Sequence, residues 1–157
     1  MWEFLHPFFT WSDGTRIGEA IRESQYLFPI INTIHLLGLT VLLGALAVFN
    51  LRLFGLALKS EQISILRRQL RPWMRGSMGV MLITGWMLFA SEAEKCYQSG
   101  PFEIKMGVLA AALVFHFTLY RKATQSDIET LWHKMAAFTS ITLWFSVGFA
   151  GRAIGYF

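Results

Sequence analysis

The sequence predicts an all-α integral membrane protein: a four-helix bundle running up-down-up-down, with both termini outside. Three observations predict it. Of the 157 residues, 54% are hydrophobic and only 15% charged, where soluble domains carry about 45–50% and about 25%. Mean hydropathy is +0.44. The charges are gathered between four long runs that contain no Asp, Glu, Lys or Arg, and the basic ones alternate from one side of these runs to the other. This composition excludes a disordered, fibrous or disulfide-scaffold protein, and it does not suit a soluble single-domain enzyme. Cys96 is the single cysteine, so no intrachain disulfide forms. The length suits one domain, and residues 1–157 read as a single membrane domain.

The elements follow in order. Residues 1–25 form an interfacial segment in which Trp2, Phe4, Phe8, Phe9 and Trp11 supply an aromatic anchor. Ser12–Asp13 is expected to cap a short helix over about Gly14–Ser24, with Ile17, Ala20 and Ile21 on one face. This opening lacks the basic-then-apolar order of a cleavable signal. The first span, 26–52, rests on 28 charge-free residues from Ser24 to Leu51, against the roughly 20 that a crossing needs. Ser60-Glu61 then opens an amphipathic helix with Ile63, Leu66 and Leu70 on one side, and Pro72 restarts the chain into the second span, 73–91. The turn Ser99-Gly100-Pro101 starts the third span, 102–121, and the fourth covers 133–155. The later charge-free runs, Gly76–Ser91, Met106–Tyr120 and Met135–Gly151, are short. Arg75, Lys105, Lys134 and Arg152 beside them therefore lie in the interface or snorkel to it. There is no internal repeat and no low-complexity stretch.

Charge sets the orientation. Arg52, Lys59, Arg67, Arg68, Arg71, Arg75, Arg121, Lys122 and Lys134 put nine basic residues on one side, and the other has five of the 14. The ten acids divide the opposite way, three against seven. The positive-inside rule places both termini outside, which in a bacterium means an inner-membrane protein with periplasmic termini. The same rule accounts for the net charge of +4 without nucleic acid.

Ionisable groups at membrane depth are costly, and so they are the candidates for function. His35 lies nine residues past Tyr26, about 14 Å into the first span, and His116 lies about 20 Å into the third. Boundary errors of about two to four residues leave these depths close. The first and third spans run the same way and are diagonal in an up-down bundle. Two imidazoles so placed are expected to grip one planar haem b edge-on to the membrane. Lys105 precedes His116 by 11 residues and shares its helix face. It is either an alternative second ligand, once its amine is neutral, or a partner for a haem propionate. Arg152, beside Gly148, Gly151 and Gly155, is a second propionate partner, since arginine forks suit carboxylates.

Two stretches carry a family resemblance. IHLLGLTVLLGALAVFNLRLFG around His35 and FEIKMGVLAAALVFHFTLYRK around Lys105 resemble the His helix and the Lys-then-His helix of the HemJ-type protoporphyrinogen IX oxidases. That resemblance covers roughly residues 27–121. It implies a four-helix membrane protein in which His35 and Lys105 hold haem b. LITGWMLF and GRAIGY look more like the copper resistance protein D group and small bacterial membrane proteins.

Each candidate has a plainer reading. His35 is a buried histidine bonded to a neighbour, with Asn32 one turn earlier in the same polar network. His116 bonds Tyr120, Lys105 snorkels, and His133 and His6 sit at interfaces. Met74, Met78 and Met81 fall on one helix face; soft thioethers suit Cu(I), but such stripes are usually packing. Glu92, Glu94 and Glu103 make an acidic outer rim, a solvated face or a dock for a basic soluble carrier. The expected function is electron transfer by a single bound haem b, between quinone and a periplasmic partner. The alternatives are haem-dependent protoporphyrinogen IX oxidation, a copper-binding or copper-transport protein, and a cofactor-free subunit of a larger complex or homo-oligomer.

Overall fold

The computed structural model describes residues 3–125 and 130–153. Trp2 and Gly155 and the side chain of Arg152 lie outside the described residues. Every element is helical, and no strand occurs among the described residues. A 3₁₀ turn at Glu3–Leu5 leads into α1 (His6–Asp13) and α2 (Arg16–Glu23). The long helices follow: α3 (Leu27–Leu53), α4 (Ile63–Ser91), α6 (Gly100–Phe115) and α8 (Leu131–Ala153). The short α5 (Ala93–Gln98) joins α4 to α6, and a π-turn at His116–Tyr120 carries α6 on into α7 (Arg121–Ala123).

Two elements start differently from the sequence expectation. Thr15, not Ser12–Asp13, caps α2, its hydroxyl accepting from the Gly18 amide at 3.3 Å. Asp13 is engaged elsewhere. It takes Arg22 Nη1 at 2.7 Å while Arg22 Nη2 donates to the Asp13 carbonyl at 2.6 Å and Nη1 reaches the Ser91 carbonyl at 3.2 Å. One guanidinium thus ties α1 and α2 to the end of α4. Pro72 does not restart the chain either. It sits inside one continuous 29-residue helix, α4. The backbone bond a proline removes is outweighed because Ile63 and Leu66, ahead of it, are already buried on the same helix. The Ser99-Gly100-Pro101 start of α6 is as expected, with Ser99 at the N-cap and proline in the first turn.

Packing places the helices. α3 packs chiefly on α4, α6 on α8, and α3 also on α8. The α3–α4 pair keeps one antiparallel register: His35 meets Thr84, and a Cβ at Gly38 would stand 3.2 Å from Met81. Gly151 of α8 abuts the Lys105 stem of α6, so this pair is antiparallel as well. At Gly18 a Cβ would lie 2.4 Å from the Ala90 carbonyl oxygen, so only glycine lets α2 rest on α4. We call the end with α1, α2 and α5 the upper end.

The core fills the lower half. It holds Leu42, Leu46 and Phe49 of α3, Ile63, Met74 and Met78 of α4, and Trp144 and Val147 of α8. Buried Ala112, Ala136 and Ala137 allow α6 and α8 close approach. The outside is apolar too: Ile83, Ile104, Val114, Phe138, Phe145 and Phe149 are all exposed. Leu27–Leu53 and Gly100–Ala123 are long and apolar enough to cross a membrane, with mean hydropathies of 2.1 and 1.6, and the second has only 6% of its apolar stretch buried.

Candidate functional site

Above the core the helices separate around a cavity of about 880 Å³. Its floor is Leu42, Met78, Leu113 and Trp144. Its walls are Met81, Leu82 and Gly85 of α4 and Met106 and Leu109 of α6. Close backbone packing between α4 and α6 is lacking, and the cavity occupies the space between them. Aromatic side chains roof it: Phe89 stacks on Phe102 with centroids 5.6 Å apart and on Phe8 at 6.1 Å, and Phe9 meets Phe89 edge-on at 5.3 Å. The roof draws on α1, α4 and α6, which explains why the Phe-rich N-terminal segment folds back as a helix. Phe9, expected in the interfacial anchor, is instead buried in this roof, while Phe4 and Trp11 remain exposed.

Both His35 and Lys105 line this cavity. His35 Nδ1 lies 2.8 Å from Thr84 Oγ1, and the Thr84 hydroxyl is 2.6 Å from the Val80 carbonyl. A carbonyl only accepts, so the threonine hydrogen is committed to Val80. Thr84 then offers only lone pairs to His35, which fixes the hydrogen on Nδ1 and leaves the lone pair on Nε2. Gly85 makes room for the ring; a Cβ there would lie 3.3 Å from His35 Cε1. Gly151 gives the Lys105 stem ordinary contact at 3.5 Å. Sequence reasoning missed Thr84 and Gly85. The signal that locates them is the antiparallel register of α4 against α3.

His116 is not brought to this cavity. Its ring stacks on Tyr120 at 5.4 Å and meets Trp144 edge-on at 6.3 Å, below the floor. The Tyr120 hydroxyl donates to Asn50 Oδ1 at 2.6 Å, which sets the depth of this region. Asn50 is 15 residues along α3 from His35, about 22 Å lower. His116, one turn before Tyr120, lies some three turns below His35, so the expectation of similar depths for the two imidazoles does not hold. The cause is the register of the two parallel helices, which sequence spacing alone leaves free.

The other candidates are scattered. His133 is buried at the lower end, its Nδ1 beside the Thr130 hydroxyl at 2.9 Å. His6 is at the upper rim, 4.8 Å from the Tyr97 ring and 4.0 Å from Glu94. Met78 and Met81 line the cavity and Met74 is core. Glu103 and Cys96 are on the cavity rim. Burial, helped by Glu92, pushes the Cys96 thiol up to about 11. Among the described residues no three His, Cys, Asp or Glu side chains gather to hold a metal ion.

These features define a class: an all-helical protein whose long helices enclose a deep apolar pocket carrying one histidine and one lysine. Residues 8–157 match the DUF6644 family, a family of unknown function, and the chain belongs to it. No curated protein and no solved structure matches it.

Proposed function

We propose that this chain is a multi-pass protein of the bacterial inner membrane that binds one haem b and transfers electrons. In this reading α3, α4, α6 with its continuation, and α8 are four up-down-up-down spans with periplasmic termini. Support for the bilayer comes from the exposed apolar flanks of α6 and α8, since water-soluble monomers rarely expose large contiguous apolar patches. Support for the orientation comes from the nine basic residues of the lower connections.

The observation that carries the cofactor is the single cavity shared by His35 and Lys105. The residues fit a tetrapyrrole. The volume lies in the usual range of about 300–1,000 Å³ for small-molecule sites, the walls are apolar and aromatic, and His35 has its tautomer set by a neighbour, as metal-binding histidines do. His35 would hold the iron through Nε2. Lys105 would serve as the second ligand once neutral, or as an ammonium paired with a propionate. His116, below the floor, is the weaker choice for a second ligand. Bound haem supplies one-electron redox chemistry, tuned by ligand identity and burial. Thr84 holds the His35 hydrogen in place, and the Phe89–Phe102 roof keeps water out.

In this reading a lipid-soluble quinone reaching the haem edge from the bilayer is one redox partner, and the Glu92–Glu94–Glu103 rim suits a basic carrier as the other. Protoporphyrinogen IX oxidation, which the family resemblance implies, would use the same pocket. A second reading, Cu(I) binding, draws on Met78 and Met81, thioethers that line the same cavity as His35. A reduced-minus-oxidised visible spectrum with metal analysis of the detergent-purified protein decides among these. A Soret band that disappears in His35→Ala is the expected result. A colourless preparation from haem-replete cells removes the haem reading, and copper at unit stoichiometry replaces it.

A further inference from the structure

The lower half of the molecule holds a second polar centre that the cavity does not involve. Asn50 of α3 and Ser140 of α8 are 0% and 1% exposed. The Tyr120 hydroxyl spends its hydrogen on Asn50 Oδ1. Ser140 stands beside that same hydroxyl, yet its Oγ falls short of any hydrogen bond. The buried Asn50 Nδ2 and His116 Nδ1 also lack partners. Asn50, Ser140 and His116, from three helical segments and each with an unpaired polar atom, thus all contact one tyrosine. Left dry, each buried polar atom costs about 1–3 kcal/mol. The backbone here departs from α-helix into the π-turn at His116–Tyr120, a distortion frequent at functional sites.

We propose that this centre is a built internal water site, held by Asn50, Ser140 and Tyr120 with His116 at its edge. The valences match. Asn50 Nδ2 donates to the water oxygen, and the water hydrogens go to Ser140 Oγ and to a lone pair of the Tyr120 hydroxyl or His116 Nδ1. This supplies the roughly three bonds that buried waters usually make. The π-turn carries both His116 and Tyr120, whose hydroxyl meets Asn50 of the parallel helix. The consequence is a hydrated polar station below Trp144, separate from the apolar cavity above it. Its side chains can exchange protons with the bound water.

Radiolytic hydroxyl labelling of the full chain in nanodiscs tests this, because bound water generates radicals in place. Tyr120, only 3% exposed, is expected to be oxidised rapidly, while the equally buried Phe49, at 1%, is not. Ser140→Ala gives an independent sign. It removes a satisfied bond if water is present and lowers the thermal midpoint by about 2–4 °C. In a dry centre it removes an unsatisfied hydroxyl and leaves the midpoint level or raised. An unlabelled Tyr120, or a Ser140→Ala midpoint that does not fall, overturns the proposal.

Discussion

At the scale of single residues, Thr84 is the test of how His35 is prepared. Thr84→Val keeps the side-chain shape but removes the oxygen that accepts from Nδ1. If His35 binds a metal through Nε2, this loss of the supporting partner lowers cofactor affinity by about 10–100-fold, read by haem titration of the apoprotein. An unchanged affinity would show that the 2.8 Å contact is only structural. Cys96 gives a pH prediction. A thiol raised from 9.0 to about 11 has about 100-fold less thiolate at pH 8 than an unperturbed one, and the thiolate is the reactive form. Maleimide modification of the native protein is therefore slow at pH 8. It accelerates about tenfold for each pH unit up to about pH 11. A fast, pH-flat reaction would contradict the burial of this thiol.

At the scale of elements, α2 and α4 carry the sharpest expectations. Gly18→Ala places a Cβ 2.4 Å from the Ala90 carbonyl, where only backbone movement relieves it. Overpacking of this kind costs about 1–3 kcal/mol, seen as a lower thermal midpoint in detergent. Pro72→Ala works the other way. It restores a donor inside α4 and stabilises the helix by up to about 3 kcal/mol; a loss of stability would mean that the proline shapes a contact. These elements also mark what was legible in the sequence. The long helices follow from charge-free runs, because apolar length is a property of the chain itself. The join of 63–71 to 73–91 was not legible, since a proline signals a break and only the buried Ile63 and Leu66 override it. Thr15 displaced Ser12–Asp13 as cap because Asp13 is drawn to Arg22, a partner nine residues away.

At the scale of the whole molecule, the candidate site was half legible. His35 and Lys105 stand out as ionisable groups in apolar runs, and the cavity unites them. The separation of His116 from them was hidden, because the slide of α6 along α3 is fixed by contacts such as Tyr120 with Asn50. The division into an apolar upper cavity and a packed lower core likewise depends on α4 and α6 standing apart. In the proposed topology the two ends face different compartments, and that orientation can be tested directly. In a Cys96→Ser background, Glu23→Cys samples the upper end and Lys59→Cys the lower; both native side chains are exposed. If nine basic residues hold the lower end inside, a membrane-impermeant maleimide labels Glu23→Cys on intact cells and Lys59→Cys only after permeabilisation. The reverse pattern inverts the molecule. It would place the acidic rim and cavity roof against the cytoplasm and remove the periplasmic carrier from the proposed function.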